Sequence, residues 1–387
     1  MTTEKSESPT KSAHRKTVAA LIGVGTLLAI VAIFSIWANR QALNTDNWVN
    51  TSDKVLQDPV VRQELADYMS AQLFANVDVQ AELSKKLPPR LQILAGPAAG
   101  GLQQLAPQAA DKILGTPQFQ AVWEAANRLA HENLLKVLDG GGQNVSTQNG
   151  EVVLNLNSLI SNIASQLGVS ADVASKIPAD AGQITILKSN DISTAQDAAQ
   201  GIRHLPVVLT LLVALLYGLA IYLAGPRRRE ALRSVGIGFV AAGVIALLIR
   251  GFSGDYLVNN LTQQDSVHPA AQQVWSIGTS LLVTVAASTI AFGILLFLAA
   301  LLAGPTKAAT FLRKEAAPYL RTQPWLVAGA AVILWLALLI WVPIAAFGKP
   351  LGILIFALLY AAGTAILWRQ TLREFPGEGE KTSAKTA

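Results

Sequence analysis

The chain contains no cysteine and few charged residues. Among its 387 residues none is cysteine, only 2 are methionine, 4 are histidine, and 14% are charged. The absence of cysteine excludes disulfides, thiolate nucleophiles, cysteine-ligated zinc and lipid attachment through cysteine. A soluble domain usually has about 25% charged residues, so the low charge content argues against an ordinary soluble enzyme.

Six uncharged apolar runs approach or exceed the length needed to cross a bilayer. A hydrocarbon core of about 30 Å requires roughly 20 helical residues. The runs are Thr17–Ala38, Leu205–Gly225, Ser234–Ile249, Trp275–Gly304, Trp325–Phe347 and Leu351–Trp368. We therefore predict six transmembrane helices. The first is interpreted as an uncleaved signal anchor because no small-residue cleavage site follows it.

Lysine and arginine are distributed unevenly around these runs. With a cytoplasmic N-terminus, the four cytoplasmic segments contain 16 basic and 7 acidic residues, whereas segment 39–204 contains 12 basic and 16 acidic residues. The positive-inside rule then places both termini in the cytoplasm and segment 39–204 outside it. The predicted organisation is a cytoplasmic tail 1–16, an anchor 17–38, an extracytoplasmic domain 39–204, a five-helix membrane bundle 205–368 and a cytoplasmic tail 369–387.

The first part of the extracytoplasmic segment has a helical pattern. Asp58-Pro59 predicts an N-cap followed by a proline in the first helical position, and Thr116-Pro117 predicts a second helix start. Apolar residues then recur at every fourth position of the first of these helices. They are Val61, Leu65, Met69 and Leu73.

Beyond residue 142 the hydrophobic pattern changes to a period of two. The alternation that follows Asn149-Gly150 predicts a β-hairpin, and Gln183–Lys188 predicts a further strand. Short helices are expected near Ser158–Leu167, Ala171–Lys176 and Ile192–Arg203. The predicted fold class is thus a mainly α membrane protein with six transmembrane helices and a helix-dominated α+β extracytoplasmic domain.

The sequence predicts no catalytic, cofactor-binding or metal-ligating residues. None of the six runs contains Asp, Glu, Lys, Arg or His, on which proton relays and ion-coupled transporters depend. His131-Glu132 begins like a zinc motif, but Leu135 occupies the position of the second ligand, so His131 is expected at the surface or boundary of its helix. Arg227–Arg229 directly abuts a run, which favours anionic lipid over nucleic acid as its contact.

Two rows of small or hydroxyl-bearing residues indicate helix packing within the membrane. The third run contains a small-residue ridge, and the fourth contains a hydroxyl stripe that either bonds within and between helices or lines a polar path. The ridge is Ser234, Gly238, Ala242 and Ala246, and the stripe is Ser280, Thr284 and Ser288.

Arg250 and Asp255 lie at the outer end of the third run. With Asp265 and His268 they belong to the only charged cluster close to the predicted outer membrane face. A salt bridge or interfacial anchor is one interpretation, and a site for a lipid headgroup or a partner is the other.

Several motifs in the second half of the chain support a family resemblance. They are Gly225-Pro226-Arg227-Arg228-Arg229, Trp275-Ser276-Ile277-Gly278-Thr279-Ser280-Leu281-Leu282, Leu302-Ala303-Gly304-Pro305-Thr306, and Arg369-Gln370-Thr371 with Glu374-Phe375-Pro376. In these motifs the chain resembles uncharacterised integral membrane proteins of actinobacteria, which carry an N-terminal anchor, a large extracytoplasmic segment and a C-terminal membrane bundle. The resemblance implies the plasma membrane of a Gram-positive-type bacterium and carries no known chemistry.

These features predict a non-enzymatic, envelope-associated interaction or scaffold protein. Its expected partners are the lipid bilayer and an envelope component or membrane protein, without nucleic acid, and the sequence leaves the oligomeric state open. One alternative is a component of a transport or export system that uses the hydroxyl stripe. Another is a membrane enzyme acting on lipid-linked substrates.

Overall fold

A computed structural model describes residues 9–139, 145–148, 151–155, 183–262, 265–341 and 350–376. The chain forms two compact units. The bundle unit comprises Met1–Trp37, Leu205–Ile249 and Leu281–Ala387, and the helical module comprises Ala38–His204 and Arg250–Ser280. The module therefore includes the segment that follows the third apolar run, in addition to the predicted domain 39–204.

Helices dominate both units. In chain order they are α1 (Pro9–Ala42), α2 (Thr45–Gln57), α3 (Pro59–Asn76), α4 (Val79–Lys86), α5 (Ala95–Leu114), α6 (Pro117–Leu138), α7 (Ser189–Leu223), α8 (Arg228–Leu261), α9 (His268–Gly278), α10 (Ser280–Leu302), α11 (Lys307–Thr322), α12 (Pro324–Trp341) and α13 (Pro350–Glu374). Short 3-10 helices occupy Pro89–Leu94, Gly225–Arg227 and Asp265–Val267.

The two predicted helix starts in the module are confirmed. The Asp58 carboxylate accepts hydrogen bonds from the backbone N–H groups of Val60 and Val61, and the Thr116 hydroxyl accepts one from the backbone N–H of Phe119. In each case proline occupies the first helical position, where its missing N–H has no cost. Local sequence thus determines where α3 and α6 begin.

The core of the bundle unit consists of small and aliphatic side chains from α1, α7, α8 and α10, together with one tyrosine. Its buried members are Ala29, Ile33, Val213, Tyr217, Val235, Ala242, Ala246, Leu282, Val285 and Ala286. The same helices are long and apolar enough to cross a membrane, over Arg15–Ala42, Thr194–Leu223, Gly225–Asn260 and Ser280–Leu302. The chain therefore has the helices of a membrane protein.

The prediction of six transmembrane helices is wrong. Within the described residues four helices meet the requirement, and Pro324–Leu339 in α12 is a shorter apolar helix. The run Trp275–Gly304 is divided at Thr279 into α9 and α10, and the run Leu351–Trp368 lies in α13, which is not among the four. The prediction counted uncharged residues along the sequence, whereas the described apolar helix of α12 is shorter than the roughly 20 residues that a crossing needs.

The α+β description of the extracytoplasmic domain is also wrong. Where side chains as well as backbone are described, the chain is 93% helical and contains no strand. Outside that part, the backbone forms three short strands in an antiparallel sheet of order β1-β2-β3, with Val145 opposite Leu154 in the first pair. They are β1 (Val145–Gln148), β2 (Glu151–Asn155) and β3 (Gln183–Lys188). The alternation indicated these short strands, but helices supply the identified core of the module, so the strands do not define its fold class.

The predicted turn at Asn149-Gly150, the glycines Gly140–Gly142, and the predicted helices at Ser158–Leu167 and Ala171–Lys176 lie outside the described residues.

The helix α7 contains two segments that the sequence predicted as separate helices. The predicted short helix Ile192–Arg203 and the run from Leu205 form one helix that continues through Pro206. Proline has no N–H, so the carbonyl of Ile202, four residues earlier, loses its usual helical donor. The side-chain amide of Asn39 in α1 donates to that carbonyl at 3.0 Å. This hydrogen bond explains how the helix accommodates an internal proline.

In the bundle unit, the backbones of α8 and α10 approach closely at glycines. A methyl group added to Gly293 would lie 2.7 Å from the carbonyl oxygen of Gly236, and one added to Gly236 would lie 2.8 Å from the carbonyl oxygen of Gly293. Farther along, a methyl group on Gly243 would lie 2.8 Å from the carbonyl oxygen of Ala286. Residues without a side chain are therefore required for this packing, as in closely packed membrane helices.

The C-terminal end of α10 is held by Arg313 of α11. The guanidinium donates to both Glu374 carboxylate oxygens, at 2.9 and 3.1 Å, and to the carbonyls of Leu302 and Gly304. The hydrogen bonds from Arg313 to the carboxylate lower the pKa of Glu374. A cation here also complements the negative end of the α10 dipole, so one side chain connects α10, α11 and α13.

We predict that Gly293→Ala destabilises the bundle unit by about 1–3 kcal/mol, because the added methyl group overpacks the contact with α8. The measurement is the thermal midpoint, Tm, of the full chain in lipid nanodiscs. Gly218→Ala in α7 is the matched control, because a methyl group there meets no atom within 4 Å. Its Tm should stay unchanged or rise, and an equal decrease in both variants would contradict the packing argument.

We also predict that Asn39→Leu lowers stability by about 1 kcal/mol, because it leaves the Ile202 carbonyl without its donor. In a Pro206→Ala background the restored backbone N–H should replace the asparagine, so the same substitution should have little effect. The four Tm values of this double-mutant cycle measure the coupling. Equal losses in the two backgrounds would show that Asn39 does not compensate for the proline.

Candidate functional site

The core of the helical module lies at one end of the α3–α5 pair. Leu56, Ala66 and Leu114 are at most 2% exposed and come from the end of α2, the first half of α3 and the end of α5. The partly buried rings of Phe119 and Trp123, near the start of α6, pack against them. This cluster forms the base of the module.

The helices α3 and α5 run antiparallel. Near the base, the Arg62 guanidinium of α3 donates to the Asp111 carboxylate near the end of α5 at 2.7 Å. At the opposite end, Gly96 in the first turn of α5 lies beside Gln80 of α4, which follows α3. The second half of α3, α4, the 3-10 helix and the first half of α5 therefore lie away from the base. We call this region, residues 69–105, the distal end.

Large apolar side chains are exposed at the distal end. Ile93 is 84% exposed, and the other members are between 47% and 59% exposed. They are Met69 and Leu73 of α3, Leu94 of the 3-10 helix, and Leu102 and Leu105 of α5. Apolar side chains grouped in this way indicate a surface that contacts another molecule.

The apolar stripe predicted for α3 is divided between two environments. Leu65 packs against the base core, whereas Met69 and Leu73, one and two turns later, are exposed. Periodicity identifies an apolar face but not what covers it. The α5 contribution was missed, although its signal is present as a stretch from Leu91 to Ala110 without a charged residue.

His131 joins α6 to the corner between α1 and α2. It is 3% exposed, so the expectation of a surface or boundary position is wrong. Its Nε2 lies 3.2 Å from the carbonyl oxygen of Ala42, its Nδ1 lies 3.1 Å from the Thr45 hydroxyl, and its ring stacks on Trp48. Because a carbonyl only accepts, Nε2 carries the proton and Nδ1 accepts from Thr45.

Burial lowers the pKa of His131, while its hydrogen bond to Ala42 and the charge of Glu132 act in the opposite direction. Folding of the module therefore favours the neutral form of the His131 ring. The missing second ligand in the sequence excluded the zinc motif but gave no indication that distant residues would enclose the ring.

Arg250 and Asp255 are not brought together. The Arg250 Nε donates to the hydroxyl of Thr279 at 2.7 Å, and Thr279 is 2% exposed at the junction between α9 and α10. Asp255 is exposed five residues farther along α8, and within the described residues it forms no ion pair with Arg250. Arg250 is thus engaged inside the module, while Asp255 is exposed.

The small-residue ridge has both buried and exposed members. Gly238, Ala242 and Ala246 are buried in the bundle unit, and Ser234 is exposed. A methyl group on Gly238 would lie 2.6 Å from the hydroxyl of Thr26 in α1, so α1 and α8 approach closely there. Small residues at these positions suit helix packing.

In the hydroxyl stripe, Ser280 and Thr284 are exposed, and Ser288 is buried. The Ser288 hydroxyl donates to the carbonyl of Thr284 at 2.7 Å, within the same helix. This bond satisfies the Ser288 donor without a polar path.

The comparisons with known proteins identify no relative. No protein-family model, no curated protein and no solved structure matches the chain.

Groups of three or more residues suited to hold a metal ion are absent from the described residues. The exposed apolar side chains make the distal end the candidate site.

We predict that the stability of the module decreases as the pH falls below about 6.5, the ordinary pKa of histidine, because the unfolded chain binds a proton that folded His131 resists. His131→Gln should lower stability by about 1 kcal/mol above that pH and weaken the acid dependence. The measurement is the Tm of the full chain in nanodiscs across this range. His204→Gln, at an exposed position, is the control, and an equal acid dependence in both variants would refute the assignment.

Proposed function

We propose that the chain is a non-enzymatic plasma-membrane protein whose helical module faces outward and binds a component of the cell envelope through its distal end. The observation that carries this proposal is the group of exposed apolar side chains on α3, the 3-10 helix and α5, at the end of the module opposite its core. Full burial of one such side chain contributes about 1.5–3 kcal/mol, so a few of them suffice for a specific contact.

The outward orientation is supported by charge and by the division of the chain. Basic residues are concentrated at the span ends assigned to the cytoplasm, before the first span (Arg15, Lys16), after the second (Arg227–Arg229) and after the fourth (Lys307, Arg313, Lys314). The two segments assigned to the outside, 39–204 and the connection after the third run, belong to the same compact unit. In a four-helix arrangement both termini then remain cytoplasmic.

The absence of cysteine gives a direct test of orientation. We predict that Gln118→Cys, exposed near the base of the module, reacts with a membrane-impermeant maleimide on intact cells, because the module faces outward. Ala308→Cys, exposed on α11, should react only after the membrane is permeabilised. The unmodified chain contains no cysteine and is the blank. Labelling of Ala308→Cys alone on intact cells would reverse the proposed orientation.

The function itself is tested by complementation of a deletion strain. We predict that deletion changes envelope composition or stress tolerance, and that Leu73→Asp with Leu102→Asp fails to restore it, because charges at the distal end prevent an apolar contact. Both positions are exposed, so the fold should tolerate the change. Gln118→Asp, exposed near the base, is the control.

Immunoblots of membrane fractions establish that each variant reaches wild-type abundance. Full complementation by the distal variant would refute the proposed site. A deletion strain with an unchanged envelope and unchanged stress tolerance would refute the proposed function.

A further inference from the structure

The 3-10 helix of the distal end, which carries Ile93, its most exposed apolar side chain, follows a group of basic residues and contains one itself. Lys85 and Lys86 end α4, and Arg90 is the second residue of the 3-10 helix that also carries Ile93 and Leu94. That 3-10 helix contacts both α4 and α5. The cations and the apolar side chains are therefore presented together by packed secondary structure.

Positive charge is concentrated here within an acidic segment. Residues 39–204 contain 12 basic and 16 acidic residues, yet the three charged residues from Leu83 to Ala110 are all basic. Lys85 donates to the Glu82 carboxylate at 2.7 Å. In the described part of the chain, Lys86 and Arg90 form no ion pair. The local excess of positive charge is thus available to an external anion.

We propose that the distal end binds the surface of an anionic phospholipid bilayer, with Ile93 and Leu94 inserted at the boundary between headgroups and acyl chains and with Lys86 and Arg90 at the lipid phosphates. This inference rests on the proposed function and names the envelope component that the distal end binds. Segments that attach to membranes in this way combine apolar side chains, which enter the boundary region, with cations that anionic headgroups attract.

The charge favours lipid over a protein occupant. Lysine is depleted in protein–protein interfaces, so a surface that contains Lys85 and Lys86 is less suited to an apolar contact with a protein. An anionic bilayer presents phosphates above an apolar layer, which matches cations next to apolar side chains. Such a surface is presented both by the bilayer that the chain's apolar helices span and by an opposing membrane.

The test uses the full chain with Ile93→Cys, which is its single thiol, labelled with an environment-sensitive fluorophore. The labelled chain is placed in nanodiscs of phosphatidylcholine alone or with phosphatidylglycerol, and nitroxide quenchers are attached to the lipid acyl chains. Quenching within the nanodisc reports contact with the chain's own bilayer. Quenching by added vesicles that carry the nitroxide reports contact with an opposing bilayer.

Two variants separate charge from general effects. Lys86→Gln with Arg90→Gln removes two distal cations, and each loss should weaken the contact about fivefold. Lys54→Gln with Lys112→Gln makes the same change in charge at exposed positions near the base and should have no effect. Added salt should weaken the contact in the unmodified background, because it screens the attraction.

The proposal is supported by quenching that requires phosphatidylglycerol and the distal cations, in either arrangement. It is overturned if no nitroxide lipid quenches the probe, or if quenching is equal without anionic lipid. It is equally overturned if the probe becomes shielded only as protein concentration rises, which would identify a second copy as the occupant. If quenching is absent while Leu73→Asp with Leu102→Asp still fails to complement the deletion, the lipid inference fails and the proposed function stands.

Discussion

The close approach of α8 and α10 is the constraint on which the bundle unit depends. In a membrane the lipid chains are as apolar as the helix surfaces, so association depends on dispersion contacts between closely packed backbones. Gly236 and Gly293 face each other across this contact, and buried alanines extend it. Larger side chains at these positions would separate the two helices and weaken the core that they share with α1 and α7.

At the end of α10 the dominant interaction changes from packing to electrostatics. The last carbonyls of a helix lack donors within the helix. Arg313 donates to the carbonyl of Leu302, the last residue of α10, and to that of Gly304 just beyond the helix. It binds Glu374 with its other nitrogens, while the Gln370 amide donates to the carbonyl of Ala303. One group of hydrogen bonds thus joins the C-terminal ends of α10 and α13 to the middle of α11. Because the pKa of Glu374 is lowered by this contact, its stabilising effect persists above the ordinary glutamate pKa and decreases as the pH falls below it.

The sequence predicted local features of the fold better than long-range ones. Asp58 and Thr116 identified helix starts because their caps involve only neighbouring residues. The break at Thr279 was not predicted, since Arg250, whose guanidinium binds the threonine hydroxyl, lies 29 residues away in the sequence. Pro206 was expected to separate two helices because its compensating donor, Asn39, is also distant. The six-helix prediction failed because the length of an uncharged run does not give the length of the apolar helix that forms from it. The α+β prediction failed because the short strands supply no residue of the identified core, which is helical.

The candidate site shows the same limit. The sequence singled out Arg250 and Asp255 by their charge, but charge alone does not distinguish an internal hydrogen bond from an exposed group. The apolar residues of α3 were recognised as a stripe, and only the position of the core revealed that half of it is exposed. Exposure of Ile93 depends on how α4 and α5 support a short 3-10 helix, which no periodicity describes.

The hydrogen bond between Asn39 and Ile202 has an architectural consequence. It joins the residues at which the chain enters the large segment of the module and leaves it again, so the two ends of that segment are adjacent. An insertion with adjacent ends can be lengthened, shortened or exchanged while its flanking helices keep their spacing. The segment between these residues is therefore exchangeable only for one that also presents a packing surface to α9, which contacts α2 and α3.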